Sequence, residues 1–226
     1  MSKTKRKNSN YKAFSEENIK AAEKPSMSPD TKKNIIIWSV TAVIVIGVLL
    51  TAIISSIPRT YYVEMDFGGY GKIVLELDEE DAPITVKNFV RLVRRGFYDD
   101  TTIFRAQKDF VIQGGQDESV KLPAIKGEFN ENGVANNISH VRGVISMART
   151  NDPDSATSQF FITLHDSAKA SLDGKYAGFG HVIEGMEVVD AIAEALYGHA
   201  INSMGFVDDA DAITIVSAKV IKYNAK

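Results

Sequence analysis

The 226-residue sequence contains no cysteine, which excludes a disulfide framework, thiolate catalysis and a lipid-modified cysteine. It also lacks the G-x-S-x-G, P-loop and H-E-x-x-H motifs that mark common hydrolases, nucleotide-binding proteins and metalloproteases. Its four histidines show no spacing typical of metal ligands. These absences argue against a covalent intermediate or a metal centre, and we predict no metal and no cofactor.

Beyond the first 34 residues, acidic side chains outnumber basic ones. Residues 1–34 contain nine Lys or Arg and four Asp or Glu, a net charge of +5, whereas the rest of the chain carries −8. Because only residues 1–34 carry a net positive charge, nucleic-acid binding by the rest of the chain is not expected. This basic segment is polar and has few large apolar side chains, which predicts a disordered tail over residues 1–34.

A run of 23 residues without a charge, residues 35–57, follows this tail. As a helix it would reach about 35 Å, enough to cross a hydrocarbon core of about 30 Å. A buried core helix would show a polar face, and the apolar region of a signal peptide is shorter, at about 7–15 residues. We therefore favour an uncleaved transmembrane helix, with a cleaved signal peptide as the alternative.

The basic residues of the tail predict the orientation of this helix. Lys32 and Lys33 adjoin its start, and the other seven precede them. The positive-inside rule then places the N-terminus in the cytoplasm and residues 58–226 outside. We predict a single-pass protein of the cell membrane, bound to the bilayer through residues 35–57. Residues 58–60 would form a short linker to one extracytoplasmic domain, residues 61–226.

Periodicity within residues 61–226 predicts a mainly β domain with two helices. Pro83 opens an amphipathic helix that ends at Gly96, and a second helix follows Gly185. The predicted strands cover residues 61–67, 72–77, 110–113, 143–148, 159–163, 178–183 and 212–223. Many short strands with two helices favour a closed β-barrel over a parallel sheet.

Three separated segments carry the chemistry. Residues 104–115 read FRAQKDFVIQGG and place Arg105 among apolar residues without any activated nucleophile. Residues 146–148 read SMA and lead to SQFF at 158–161, and residues 172–175 read LDGK. Chemistry at such a site would work through hydrogen bonds and an apolar pocket. Rotation about an amide bond is one of the few reactions that can be catalysed in this way.

In combination these segments resemble the cyclophilins, a family of peptidyl-prolyl cis–trans isomerases, over residues 61–226. The resemblance implies a closed eight-stranded antiparallel β-barrel capped by two α-helices, with the site on its outer face. By the same resemblance the catalytic residues are Arg105, Phe110, Gln113 and Phe161. The substrate groove would be lined by Val111, Ala148, Arg149, Gln159, Leu172 and Tyr176.

The physics of peptide-bond rotation fits these residue types. Resonance imposes a barrier of about 18–20 kcal/mol, although the two isomers of an X-Pro bond lie within about 1 kcal/mol of each other. In the twisted state the nitrogen regains a lone pair, which the permanently charged fork of Arg105 can bind. An apolar pocket removes the water that would otherwise stabilise the planar ground state.

Several positions depart from the best-known eukaryotic cyclophilins. Ser171 stands where they carry a tryptophan that contributes to cyclosporin binding, so we predict weak cyclosporin affinity. Tyr176 replaces a histidine and Val111 replaces a methionine, both at the pocket. Lys108-Asp109 replaces a Pro-Gly turn, and Arg149 replaces an asparagine beside the peptide.

The leading hypothesis is a monomeric, membrane-tethered isomerase that assists the folding of exported proteins, with proline-containing unfolded or exported polypeptides as substrates. The alternative is a module or chaperone that binds proline-containing peptides and isomerises them only incidentally. Replacement of Arg105 distinguishes the two, because it would abolish isomerisation while sparing binding.

Overall fold

The computed structural model describes residues 27–57 and 59–224, which form two compact units that divide between Ile57 and Pro58. Most of the predicted tail, residues 1–26, lies outside the described residues, so its disorder stays a prediction. The mainly β class predicted for the second unit is confirmed.

The first unit contains one long helix, α1, which spans Pro29–Ser56. Proline is favoured in the first turn of a helix, and the Ser28 hydroxyl caps this turn by accepting the Thr31 N–H at 3.2 Å. The helix therefore begins before Ile35, the predicted start. By length and composition its segment Pro29–Thr51 could cross a membrane, as a membrane anchor or a signal sequence would.

The second unit is built around a single antiparallel sheet in the described part of the chain. Its strands are β1 (Thr60–Asp66), β2 (Lys72–Asp78), β3 (Thr102–Gln107), β4 (Val111–Gln116), β5 (Val144–Met147), β6 (Phe160–Thr163), β7 (Gly178–Glu184), β8 (Ile213–Thr214) and β9 (Ser217–Ile221). They are ordered β8-β3-β4-β6-β5-β7-β2-β1-β9 across the sheet.

The two edge strands, β8 and β9, are consecutive in sequence and separated only by Ile215 and Val216. The Ile215 N–H donates to the Thr101 carbonyl at 2.7 Å, and the Val216 N–H donates to the Asp66 carbonyl at 2.8 Å. One short segment thus touches both ends of the sheet, which must curl round on itself.

This crossing also explains why the sheet has nine strands where eight were predicted. The last predicted strand, residues 212–223, divides into β8 and β9 because the chain passes there from one edge of the sheet to the other. The strand β3, by contrast, was not predicted from the sequence pattern. The remaining predicted strands all occur in the structure, with ends that shift by a few residues.

Two long helices accompany the sheet, α2 (Pro83–Arg94) and α4 (Met186–Tyr197), and a four-residue helix α3 (Lys169–Leu172) lies between them in sequence. Phe89 of α2 packs in the core, with its ring centroid 4.9 Å from Tyr98, 5.9 Å from Phe160 and 5.1 Å from Phe179. The buried carboxylate of Glu128 accepts two backbone N–H groups in the first turn of α2. It thereby satisfies donors that a helix cannot pair internally.

Candidate active site

The hairpin formed by β3 and β4 carries Arg105 opposite Gln113. Its register passes directly from the pair Ile103–Gly114 to the pair Arg105–Gln113, so that Phe104 is the extra residue of a β-bulge. The two buried side chains of β3, Ile103 and Ala106, are consequently three positions apart instead of two. The bulge leaves Arg105 on the face that it shares with Gln113.

Three oxygen acceptors hold the guanidinium of Arg105. Its Nε donates to the carbonyl oxygen of Met204, Nη1 to Oε1 of Gln113 and Nη2 to Oε1 of Gln107, each at 2.8 Å. The ring of Phe206 lies against it, with the ring centroid 5.3 Å from Cζ. Because a guanidinium has five N–H groups, donors remain for a substrate.

The environment of Arg105 strengthens its electrostatic effect. Burial lowers the pKa of the Arg105 guanidinium, and its electrostatic interaction with Tyr176 opposes part of this shift. The side chain still carries its charge at neutral pH, since arginine is not deprotonated in proteins. A charge partly removed from water interacts more strongly with an acceptor brought close to it.

A small apolar cluster, separate from the main hydrophobic core, contains most of the residues predicted to line the substrate pocket. We call it the pocket cluster: Val111, Phe161, Ala168 and Leu172 are buried, and Phe110, Ala148 and Tyr176 pack against them half-buried. All but one of its members are predicted site residues. The exception is Ala168, which precedes α3.

Arg149 supports one wall of the pocket cluster. The rings of Phe161 and Tyr176 meet edge to face at 5.5 Å. The Arg149 guanidinium stacks beside Tyr176, with Cζ 4.7 Å from the ring centroid, and lies 5.0 Å from the ring of Phe129. Its Nη2 donates to the carbonyl of Lys175 at 2.9 Å. In this arrangement Arg149 holds the tyrosine in place from outside.

The last predicted residue, Gln159, joins the group through Gln113, whose Nε2 donates to its Oε1 at 2.9 Å. All ten predicted residues therefore lie in one contiguous region, connected by the hydrogen bonds of Arg105 and by the pocket cluster. The sequence reasoning missed three neighbours of Arg105, namely Gln107, Met204 and Phe206. Gln107 lies two positions from Arg105 on the same strand, where alternation along a strand could have indicated it.

Two departures from the family pattern have a clear structural setting. At the turn between β3 and β4, Asp109 adopts a left-handed conformation with φ of 56°, and the Phe110 N–H closes the turn on the Gln107 carbonyl at 3.1 Å. Aspartate tolerates this conformation better than most side chains, so it can replace glycine there. Ser171 is exposed on α3, next to the buried Leu172 of the pocket cluster.

A polar triad, in which His140 and Ser146 are buried and Asp173 is exposed, lies against Phe161 of the pocket cluster. His140 hydrogen-bonds Ser146 Oγ through Nε2 at 3.0 Å and Asp173 Oδ1 through Nδ1 at 2.9 Å, and its ring stacks on Phe161 at 6.0 Å. The combination resembles a hydrolytic triad, but His140 and Ser146 are fully buried. No substrate carbonyl can reach the hydroxyl, so the triad positions the wall of the pocket. Sequence patterns missed it because its members lie up to 33 positions apart.

Comparison with known proteins identifies the family of this chain. A family model described as cyclophilin type peptidyl-prolyl cis-trans isomerase/CLD matches residues 62–220. The chain belongs to this family. The assignment made from the three sequence segments is confirmed, and the chain is a cyclophilin-type isomerase.

Bacterial cyclophilins are among its relatives. Peptidyl-prolyl cis-trans isomerase A of Dickeya dadantii is 41% identical over 162 residues, which cover 67% of this chain and 80% of that protein. Peptidyl-prolyl cis-trans isomerase cyp18 of Streptomyces antibioticus is 43% identical over 164 residues, covering 67% and 93% of the two chains.

Solved cyclophilin structures share the fold. A crystal structure of a Cryptosporidium parvum cyclophilin in the presence of the dipeptide Ala-Pro superimposes with a TM-score of 0.59 at 26% identity, covering 72% of this chain and 99% of that one. Cyclophilin AquaCyp293 from Hirschia baltica has a TM-score of 0.55 at 25% identity, covering 71% and 75%.

The triad predicts how stability depends on pH. Burial lowers the pKa of His140, against the opposing effect of its hydrogen bond to Asp173. The folded state therefore disfavours protonation, and its stability should be intact above about pH 6.5 and fall as the pH drops through the lowered pKa. We expect His140→Asn to reduce the loss of unfolding free energy between pH 7 and pH 5, measured by urea denaturation. The matched control, exposed His181→Asn, should keep the wild-type dependence; equal slopes in all three proteins would contradict the prediction.

Proposed function

We propose that the domain accelerates cis–trans isomerisation of X-Pro bonds by a non-covalent mechanism. Arg105 would donate a hydrogen bond to the nitrogen of the twisted amide while the pocket cluster holds the proline ring. The observation that carries this proposal is the fixed guanidinium of Arg105, which is held by three acceptors and lies on the hairpin that also supplies Phe110 and Val111 to the pocket cluster.

The energetics of the twisted amide explain why this arrangement suffices. Twisting the C–N bond ends its resonance, so the nitrogen becomes an acceptor only near the top of the barrier. A donor aimed at that nitrogen stabilises the transition state more than either planar isomer. Each 1.4 kcal/mol or so removed from the barrier raises the rate about tenfold. No proton changes place, which agrees with a site built without an acid–base pair.

Proline-containing peptides are the substrates that we propose. The Cryptosporidium parvum relative was crystallised in the presence of Ala-Pro, a dipeptide of this class. The pocket cluster of this chain offers the matching surface, since its aromatic and aliphatic side chains can bury a pyrrolidine ring.

The mechanism predicts a loss of catalysis without a loss of binding when Arg105 is replaced. We expect Arg105→Ala to lower kcat/KM for an X-Pro peptide by about 10²- to 10³-fold in a protease-coupled assay, the usual effect of removing one such donor. Affinity for the peptide, measured by calorimetry, should change far less. The matched control is Arg95→Ala, an exposed arginine at the end of α2. Equal accelerated rates for wild type and Arg105→Ala would exclude this role of Arg105, and rates at the uncatalysed level for both proteins would favour a module that only binds peptides.

We further propose that α1 anchors the enzyme in the cell membrane and that the domain assists the folding of exported proteins outside the cytoplasm. Support comes from the apolar segment Pro29–Thr51 and from the basic residues, Lys32 and Lys33 among them, that precede its apolar core. We also propose a monomer, because the edge strand β8 has only two residues and offers little backbone for pairing with a second copy.

The anchor predicts a definite fractionation and topology. The full-length protein should stay with membranes after alkaline extraction, with an intact mass that includes residues 1–57. Protease added to intact cells should digest the domain but spare an epitope fused to the N-terminus. A soluble mature protein that lacks residues 1–57 would show instead that α1 belongs to a cleaved signal peptide.

The exposed Ser171 predicts weak binding of cyclosporin. The tryptophan found there in eukaryotic cyclophilins would add a large apolar surface beside Leu172. We expect Ser171→Trp to raise cyclosporin affinity at least about tenfold, or by about 1.4 kcal/mol, as measured by inhibition of the isomerase. Ser167→Trp, outside α3, serves as the control. Nanomolar inhibition of the unmodified protein would contradict the prediction.

A further inference from the structure

Four consecutive hydrogen bonds lead from Arg105 across the face of the sheet to Glu118. Arg105 Nη1 donates to Gln113 at 2.8 Å, Gln113 to Gln159 at 2.9 Å, Gln159 to Gln116 at 2.7 Å and Gln116 to Glu118 at 2.8 Å. We call the three amides the glutamine chain. Only Gln113 and Gln159 belong to the predicted site.

All the hydrogen bonds of the glutamine chain run in the same direction. Each amide accepts through Oε1 on the side of Arg105 and donates through Nε2 on the side of Glu118. A guanidinium can only donate and a carboxylate can only accept, so the two ends determine the orientation of every amide between them. The cation at one end and the anion at the other also align the amide dipoles.

The far end of the glutamine chain is held by its own loop. Asp117 Oδ1 accepts from the backbone N–H and the hydroxyl of Ser119, at 2.9 Å and 2.6 Å. This turn begins directly after β4, whose last residue is Gln116. The carboxylate of the exposed Glu118 is thereby placed within reach of the Gln116 amide.

Loss of the hydrogen bond between Gln159 and Gln116 would alter the hydrogen bonding of Arg105. If Gln116 no longer accepted from Gln159, nothing would oppose rotation of the Gln159 amide by 180°. The rotated amide would present its N–H donors to Gln113. The Gln113 amide would then no longer be held in the orientation that directs Oε1 toward the guanidinium. The bonds of Gln159 to Gln113 and Gln116 are half-buried, so water compensates only in part.

We propose that Gln116 and Glu118 are positioning residues for the isomerase reaction, which set the amide orientation of the glutamine chain and through it the guanidinium of Arg105. The inference rests on the proposed role of Arg105. It adds two residues that lie outside the three sequence segments of the family and that contact neither the pocket cluster nor the guanidinium directly.

The central experiment compares single and exchanged variants of the full-length chain in mild detergent. We expect Gln116→Leu to lower kcat about five- to tenfold with KM changed less than twofold, because binding by the pocket cluster is retained. Gln116→Glu should instead keep at least half of wild-type kcat, because a carboxylate at position 116 still accepts from Gln159 and the exposed Glu118 can turn into solvent.

The double variant Gln116→Glu with Glu118→Gln should likewise keep at least half of wild-type kcat. The carboxylate at position 116 then accepts both from Gln159 and from the amide at position 118, so the last hydrogen bond reverses while every bond from Arg105 to position 116 keeps its direction. The control Glu131→Gln makes, at an exposed position, the same change as Glu118→Gln within the double variant and should leave kcat unaltered.

A spectroscopic readout separates positioning from a general structural role. In protein labelled with ¹⁵N-arginine, the Arg105 Nε–H resonance should shift in Gln116→Leu and return in the double variant, while the unfolding midpoint stays within 2 °C of wild type. An unchanged kcat and resonance in Gln116→Leu would refute the proposal, as would a loss of kcat in Gln116→Glu as large as that in Gln116→Leu. If Gln116→Leu fails to fold, Gln116→Lys, which offers only donors to Gln159, takes its place in the comparison with Gln116→Glu. Wild-type activity of Arg105→Ala in the same assay would instead refute the proposed function.

Discussion

Alternation of side chains along β3 is interrupted at Phe104, and the position of the guanidinium depends on that interruption. A regular strand would turn Arg105 to the other face of the sheet, since a shift by one residue exchanges inward and outward positions. The bulge keeps Ile103 and Ala106 in the core and still pairs Arg105 with Gln113. It also lets Phe104 stack on Phe206, with ring centroids 6.1 Å apart.

The site combines two environments that the fold keeps separate. The pocket cluster is apolar and has its own buried members, distinct from the barrel core. The donors lie on one side of it, on β3 and β4, and a second polar group lies behind Phe161 in the form of His140 with its partners. An apolar surface bounded by satisfied polar groups can exclude water without leaving a buried donor or acceptor unpaired.

Much of the fold and site could be predicted from the sequence, because the relevant signals are local. Pro83 and Gly185 mark the starts of the long helices, and the segment 104–115 holds four of the ten predicted site residues within one hairpin. The strand β3 was not predicted because its bulge breaks the two-residue period on which strand prediction depends. The same bulge places Arg105 opposite Gln113. The division of the last strand was missed because it reflects sheet closure, a property of the whole fold.

Local sequence patterns could not predict contacts between residues that lie far apart in sequence. Met204 contributes only its backbone oxygen to Arg105, across 99 positions, so its side chain leaves no signal for that role. Glu128 caps α2 from 43 and 44 positions away, and nothing in its neighbourhood marks it as a helix cap. Such residues are defined by where the chain returns in space and become visible only in three dimensions.

The placement of β8 and β9 has a consequence for the behaviour of the protein in a crowded compartment. Sheets offer unpaired N–H and C=O groups at their edges, and other chains can add to them as extra strands. Here one edge strand has only two residues, and the chain continues directly from it to the opposite edge. At the opposite edge, the Ala218 N–H of β9 is already bonded to Asp99 Oδ1 at 2.9 Å. Both edges thereby offer little backbone to which another chain could add as a strand.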